Sequence, residues 1–155
     1  MSDNRFGFGE VRQKIIAMKE ELPIVLANQA QNHFVGSWQR QGWDGKAWKE
    51  VNRRIPGTNE YKYPKNYGLG RRTSAILVSS GRARGVSGGT LRRVVGNSIR
   101  SKRFDNIRLV VDIPYAAYLN DGTDNMVARS FMKDSATLIR LQVAKINEFT
   151  NRIWR

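Results

Sequence analysis

Between Asn106 and Gly122 the chain runs NIRLVVDIPYAAYLNDG, and this stretch limits the possible folds more than any other. Leu109, Val111 and Ile113 fall on one face of an extended chain, and Arg108, Val110 and Asp112 on the other. That is the period of two of a half-buried strand. Pro114 ends it, because proline has no N–H to give to a ladder. Tyr115-Ala116-Ala117-Tyr118-Leu119 is apolar and long enough for about one turn of helix. Asn120-Asp121-Gly122 closes it with residues that accept tight or left-handed turns. The strand needs a partner, and residues 91–100 (LRRVVGNSIR) are the best placed to supply one. They are expected to pair with residues 107–113 as an antiparallel hairpin across a turn at 101–106, with Gly96 marking a bulge.

A half-buried strand also needs a cover. Residues 10–22 supply Val11, Ile15, Met18 and Leu22 at three- and four-residue spacing, an amphipathic helix. Pro23 either starts a second helix as its first residue or kinks a continuous one. Ala27, Ala30, Phe34 and Trp38 carry the helical spacing on to about Gln39. At the other end, Phe131, Ala136, Ile139, Val143, Ile146, Phe149 and Ile153 place a last helix over 130–154, expected to lie across the sheet. These elements predict an α+β fold in one domain spanning 1–155. N-terminal helices and a C-terminal helix pack on a small antiparallel sheet, with long basic loops between.

The loops hold most of the charge. The chain of 155 residues has a formal charge of +14, and between Tyr61 and Phe104 there is no Asp or Glu at all. Lys62, Lys65, Arg71, Arg72, Arg82, Arg84, Arg92, Arg93, Arg100, Lys102 and Arg103 fall in that block, which favours a polyanion or an acidic protein surface as neighbour. Residues 51–72 show neither helical nor strand period, and 82–90 (RARGVSGGT) are glycine-rich. Both are expected to be extended arms that order against a neighbouring subunit. Tyr61, Tyr63 and Tyr67 among the cations also suit stacking on single-stranded bases. Residues 75–79 (AILVS) form a short buried strand or a helical turn. Gly42-Trp43-Asp44-Gly45-Lys46-Ala47-Trp48 reads as a loop, with Trp43 and Trp48 too apolar to leave in water.

Catalytic chemistry finds little purchase. There is no cysteine, hence no thiolate metal site and no disulfide. The single histidine, His33, has no second imidazole to join it. Asp105, Asp112, Asp121 and Asp124 cluster near the strand, but a metal-dependent nuclease needs two of them to converge with a lysine, and Asp112 faces away from the apolar side. No phosphate loop is present in 82–90. The expectation is a protein with no enzyme activity, no cofactor and no metal. No apolar run approaches the ~20 residues of a membrane span, and the polar start MSDNRFGFGE lacks a signal-peptide core. A protein made in a cytosol, or assembled there into something larger, is expected.

Taken in order, the chain shows Phe34; Gln41-Gly42-Trp43-Asp44-Gly45 with Trp48; Ile76-Leu77-Val78-Ser79-Ser80-Gly81; Leu91 to Ser98-Ile99; Tyr115 through Thr123; and Ala128-Arg129-Ser130-Phe131-Met132. This series resembles the virion morphogenesis and tail-completion proteins of Mu-like tailed phages. Their motifs are a GxxdGxxW loop, an ILvxtGxLxxSI segment, a YAxxhxxGt turn and an aRxFl approach to the last helix. The chain departs from that pattern in three places. Residues 82–90 interrupt the second motif, Asn120 stands where histidine is common, and Ser130 stands where proline is common.

The resemblance implies a non-catalytic ring of six or twelve copies at the head–tail junction. It would join the head connector to the tail around the DNA channel, in a virion assembled in the host cytoplasm. Other neck, connector, tail-tube or terminator proteins are the implied partners, with double-stranded DNA in the channel and no membrane. Carried over to this chain, the motifs point to Trp43 and Trp48 as loop anchors and to Tyr115, Tyr118 and Gly122 at the turn. Arg129 and Phe131 would lock the last helix. Arg71, Arg72, Arg82, Arg84, Arg92 and Arg93 are candidates for contacts with subunits or DNA. The alternative, from charge alone, is a non-enzymatic nucleic-acid-binding protein.

Overall fold

The computed structural model describes residues 7–63, 75–77 and 89–154. Its spine is α1 (Phe8–Arg40), 33 residues long, or ~50 Å of helix. Pro23 lies inside this one helix and its ring is buried. It has no N–H for the carbonyl of Lys19, and burial of the ring offsets that missing bond. α1 ends at Gln41, which adopts the left-handed conformation and returns its N–H to Ser37 O. Only the second half of the helix is buried, since no residue before Leu22 is fully covered.

Residues 42–48, expected as a loop, form a tight hairpin of β1 (Gly42–Trp43) and β2 (Lys46–Ala47). Asp44 and Gly45 both have positive φ, 46° and 83°. That pair is what a two-residue hairpin of right-handed twist demands, and Asp-Gly is a preferred sequence for it. Of the segment expected as the first arm, residues 51–63 are described. They hold a 3-10 turn (Asn52–Arg54) and a short helix α2 (Asn59–Lys62), capped where Thr58 Oγ1 accepts from Tyr61 N at 3.2 Å. The remainder, 64–72, and residues 82–88 of the second arm lie outside the described residues.

Residues 91–95 correct the sequence reading. They are helix, α3 (Thr90–Val95), and not strand. Leu91 and Val95 sit at i and i+4, both buried, so the helical period wins over the β-branched composition. Glycines bound the element, Gly89 at φ 79° before it and Gly96 after it. Gly96 is therefore a helix terminus, and the bulge falls between Ile99 and Ser101. The hairpin itself is as expected in partner and direction. β3 (Ile99–Arg103) pairs antiparallel with β4 (Asn106–Leu109) across Phe104-Asp105. One further bond, Val110 N to Ser98 O at 2.7 Å, extends the pairing. Residues 111–113 then leave the ladder while Val111 and Ile113 stay packed on the core.

After α4 (Ala116–Asp121) and an isolated bridge between Thr123 and Met126, the chain crosses the body as a strap through 127–134. The last helix, α5 (Ala136–Ile153), begins six residues later than its apolar pattern suggests, because Phe131 belongs to the strap. α5 packs on α1, and the β3–β4 ribbon packs on α1 as well, so the helix meets the spine where it was expected to cross the sheet. Ser135 at the start of α5 meets His33, while Leu141 one turn and a half later lines a groove with Val25 and Asn28; the two helices are thus antiparallel. The class is α+β, with five α-helices and two two-stranded antiparallel sheets among the described residues. The main core gathers Phe34, Trp38, Trp48, Ile76, Leu91, Val95, Ala116, Phe131 and Leu138.

Candidate functional site

The tryptophans of the β1–β2 region mark a junction where distant parts of the chain meet. Trp48 is 8 % exposed. Its ring stands edge-on to Trp38 at 5.9 Å, and its Nε1 donates to Ser130 O at 2.8 Å across 82 positions of sequence. Phe131, 2 % exposed, fills the other side of Trp38 at 5.2 Å between centroids. Burying a side chain of that size stabilises by roughly 1.5–3 kcal/mol. Trp43, half-buried, lies against Phe34 at 5.8 Å and His33 at 5.2 Å, and donates through Nε1 to Asp134 O at 3.3 Å.

Asp44, in the hairpin turn, reaches the start of α5. Its Oδ1 accepts from Ser135 Oγ at 2.8 Å and from Thr137 N at 3.2 Å, and its Oδ2 accepts from Ala136 N at 2.9 Å. A carboxylate over the first free N–H groups of a helix complements both the unmet donors and the positive end of the dipole. Hydrogen bonds from the Thr137 and Ser135 side chains, then from the Thr137 and Ala136 amides, hold its carboxyl well below the ordinary carboxylate range. Ser135 Oγ also accepts from Leu138 N at 3.1 Å and lies 3.0 Å from His33 Nε2. Its single proton goes to Asp44, so His33 Nε2 is the donor in that last bond, which fixes the imidazole tautomer. The order carboxylate, hydroxyl, imidazole leaves the hydroxyl proton committed away from the imidazole. As arranged, these three groups form a clamp. Burial first, then the charge of Arg40, lowers the His33 pKa, while Asp44 opposes them.

The strap and α4 join the same junction. Asn120 Oδ1 accepts from the amides of Phe131 and Met132 at 3.0 and 3.1 Å, and Ser130 Oγ donates to Asn120 O at 2.9 Å. Arg129 donates its amide to Leu119 O at 2.8 Å and its Nε to Lys49 O at 3.2 Å. Gly122 has φ 80°, and a Cβ there would stand 2.8 Å from both Ala128 N and Met126 O. Glycine alone combines that conformation with so close a strap.

Trp43, Trp48, Gly122, Arg129 and Phe131 are therefore brought together, although their hydrogen bonds span gaps of up to about ninety positions. Tyr115 and Tyr118 stand at the same corner with exposed rings, Tyr118 at 57 %, while Ala116 between them is the buried member of α4. Arg92 and Arg93 project from α3 and are exposed. Arg71, Arg72, Arg82 and Arg84 lie outside the described residues. Asp105 and Asp112 are paired with Arg103 and Arg100 at 2.9 and 3.1 Å, and Asp121 with Lys133 at 3.2 Å. No group of three His, Asp or Glu among the described residues is placed to hold a metal ion.

Three roles at the junction were not singled out by sequence reasoning: Asp44 as a helix cap, Ser135 as its partner and Asn120 as the strap's acceptor. The Asp-Gly pair announces the hairpin turn, and Asp-Ser before Ala136 is a helix-start signal. No sequence signal joins the two.

A second cluster lies beside the junction. Arg53 donates Nη2 to Ala75 O at 2.9 Å, Arg129 is held at Lys49 O, and Arg54 pairs with Glu50 at 3.5 Å. Burial, then the nearby charges of Arg54 and Arg129, lower the Arg53 pKa, with Glu50 opposing. Burial likewise lowers that of Arg129. No described helix is long and apolar enough to cross a membrane. Compared with protein-family models, curated proteins and solved structures, the chain matches none.

Proposed function

We propose that the chain is a structural component of a tailed-phage virion, a head–tail neck or tail-completion protein. It would form a ring of six or twelve copies that joins the head connector to the tail around the DNA channel, after assembly in the host cytoplasm. One observation carries the reading. Of the described residues on which the resemblance rests, Phe34, Trp48, Ile76, Leu91 and Phe131 share one buried core, and Trp43 and Arg129 fasten hairpin and strap beside it, a role that is architectural. At the two substituted motif positions, Asn120 Oδ1 holds the amides of Phe131 and Met132, and Ser130 Oγ donates to the backbone carbonyl of residue 120. A signature of this kind suits a scaffold that presents loops and exposed aromatic rings to neighbours.

The second reading, a free nucleic-acid-binding protein, is favoured by the cations left without ion pairs among the described residues, such as Arg92, Arg93, Lys102 and Arg108. Deleting the gene from the phage that carries it separates the two. A neck protein leaves full heads and free tails that joining cannot complete, and the protein sediments with wild-type virions. Normally joined virions after deletion overturn the neck reading. Tight duplex or single-strand binding by the purified chain, with a steep salt slope, supports the second.

A further inference from the structure

We infer that copies of this chain bind one another head to tail, the acidic face of α1 around Glu20 and Glu21 seating on the arginine cluster of Arg53, Arg54 and Arg129 of the next copy. The inference rests on the self-association in the neck reading and names its contact.

The ledger of charge singles out the acidic side. Among the described residues eight of the twelve carboxylates are engaged within their own chain, and of the other four Asp124 and Asp134 stand singly while Glu20 and Glu21 stand side by side. Glu10, Glu50, Asp105, Asp112, Asp121 and Glu148 are in ion pairs, Asp44 caps α5, and Glu60 accepts from Asn52. Glu20 and Glu21 are the only adjacent acids in the sequence. Both are exposed, and neither is in an ion pair among the described residues. They stand on the first half of α1, where no residue before Leu22 is fully covered. Ile16 and Ile24, 42 % and 44 % exposed, flank Glu20 at one helical turn on either side. The face is thus a carboxylate between two aliphatic side chains.

The basic side has the complementary make-up. Among the described residues the guanidiniums of Arg53, Arg54 and Arg129 share one neighbouring carboxylate, Glu50. Two of them are half-buried and fixed by backbone carbonyls of Ala75 and Lys49. A preorganised guanidinium loses little freedom on meeting a carboxylate and presents a planar fork to it. Ile55 beside Arg54 and Val127 near Arg129 are exposed, 37 % and 43 %, as aliphatic partners for Ile16 and Ile24. The net charge of +14 makes most pairings of two copies repulsive, and this pairing joins opposite signs.

The two patches cannot meet within one copy. The cluster sits at the Trp38–Trp48 end of α1, and Glu20 is eighteen positions away along the helix, ~27 Å. A contact between two unlike patches is heterologous, and such contacts close into rings when the rotation allows.

Mass photometry across a concentration series tests this. Wild type is expected to form closed oligomers. E20R/E21R, and separately R54E, are expected to raise the concentration for half-assembly by about ten-fold or more, with unchanged circular dichroism. Arg54 is the cluster member not held by a carbonyl, so its reversal spares the junction. Combining E20R with R54E is expected to recover most of the loss, which a folding defect would not do. Assembly of both reversed variants at the wild-type concentration overturns this contact and leaves the ring standing. A wild-type chain that stays monomeric overturns the contact and the ring together, and head–tail joining is then decided by the deletion phenotype alone.

Discussion

The junction and the β3–β4 ribbon both join polar side chains by hydrogen bonds and ion pairs, over very different reaches of the chain. At the junction, beside short-range bonds such as Asn120 to Phe131, several side-chain bonds span eighty to about a hundred positions: Trp48 to Ser130, Arg129 to Lys49, Ser135 to His33. In the ribbon they span two to twelve: Arg103 to Asp105, Ser101 to Asn106, Arg100 to Asp112. The junction surrounds its polar groups with buried aromatic rings. The ribbon leaves its strands exposed at most positions and rests on α1 with both strands, Lys19 lying 5.8 Å over the ring of Phe104 at its tip. A two-stranded ribbon alone is marginal in water, so its order is borrowed from α1. The junction lends order to the rest. Loss at the junction should therefore reach the whole fold, and loss in the ribbon should stay local.

The largest effect tests that directly. Trp48→Ala removes a buried ring and the bond to Ser130 O, and is expected to cost about 3–5 kcal/mol, read as a lower midpoint in urea unfolding. A cost below about 1 kcal/mol would mean that strap and hairpin are held independently, and the contrast between the regions would collapse.

Asp44→Asn should have a smaller effect, sharpest in its pH dependence. The folded carboxyl titrates below its unfolded value, so Asp44 contributes fully above about pH 4. Its contribution is lost as pH falls through the depressed folded value. His33 adds in the same direction, because its lowered pKa makes the neutral ring the folded form. Its contribution is complete above about pH 6.5 and declines below. Thermal melts of wild type from pH 7 to 3 should show both losses, and the variant should lose the part below pH 4. An unchanged acid limb in the variant would remove Asp44 from the clamp.

The smallest effect belongs to the ribbon. Arg103→Gln removes an exposed ion pair with Asp105 and is expected to change stability by no more than about 0.5 kcal/mol. Hydrogen exchange should speed at the ribbon amides and stay constant in α5. Faster exchange in α5 would show that the ribbon does support the body.

Much of this was legible in the chain itself. The helical stripes of 10–39 and of the last helix, expected over 130–154 and found over 136–153, and an antiparallel hairpin whose turn was expected at 101–106 and falls at Phe104-Asp105, follow from side-chain period and turn chemistry. The strand expected to end at Pro114 leaves the ladder after Val110. Even where the reading failed, at 91–95, the correct signal was local, Leu91 and Val95 one turn apart between glycines. The junction is of another kind. Nothing in the spacing of Asp44 and Ser135 says that one caps the helix of the other, and nothing at Asn120 says that it receives the amides of Phe131 and Met132. Those bonds form because α5 turns back along α1 and brings its start to the hairpin, and a polar group finds its partner only when the surrounding apolar surface has excluded water. Sequence determined which segments are helix and strand by periodicities within a few residues. Tertiary structure decided which of their polar ends meet, because that depends on how the buried faces of separate elements stack.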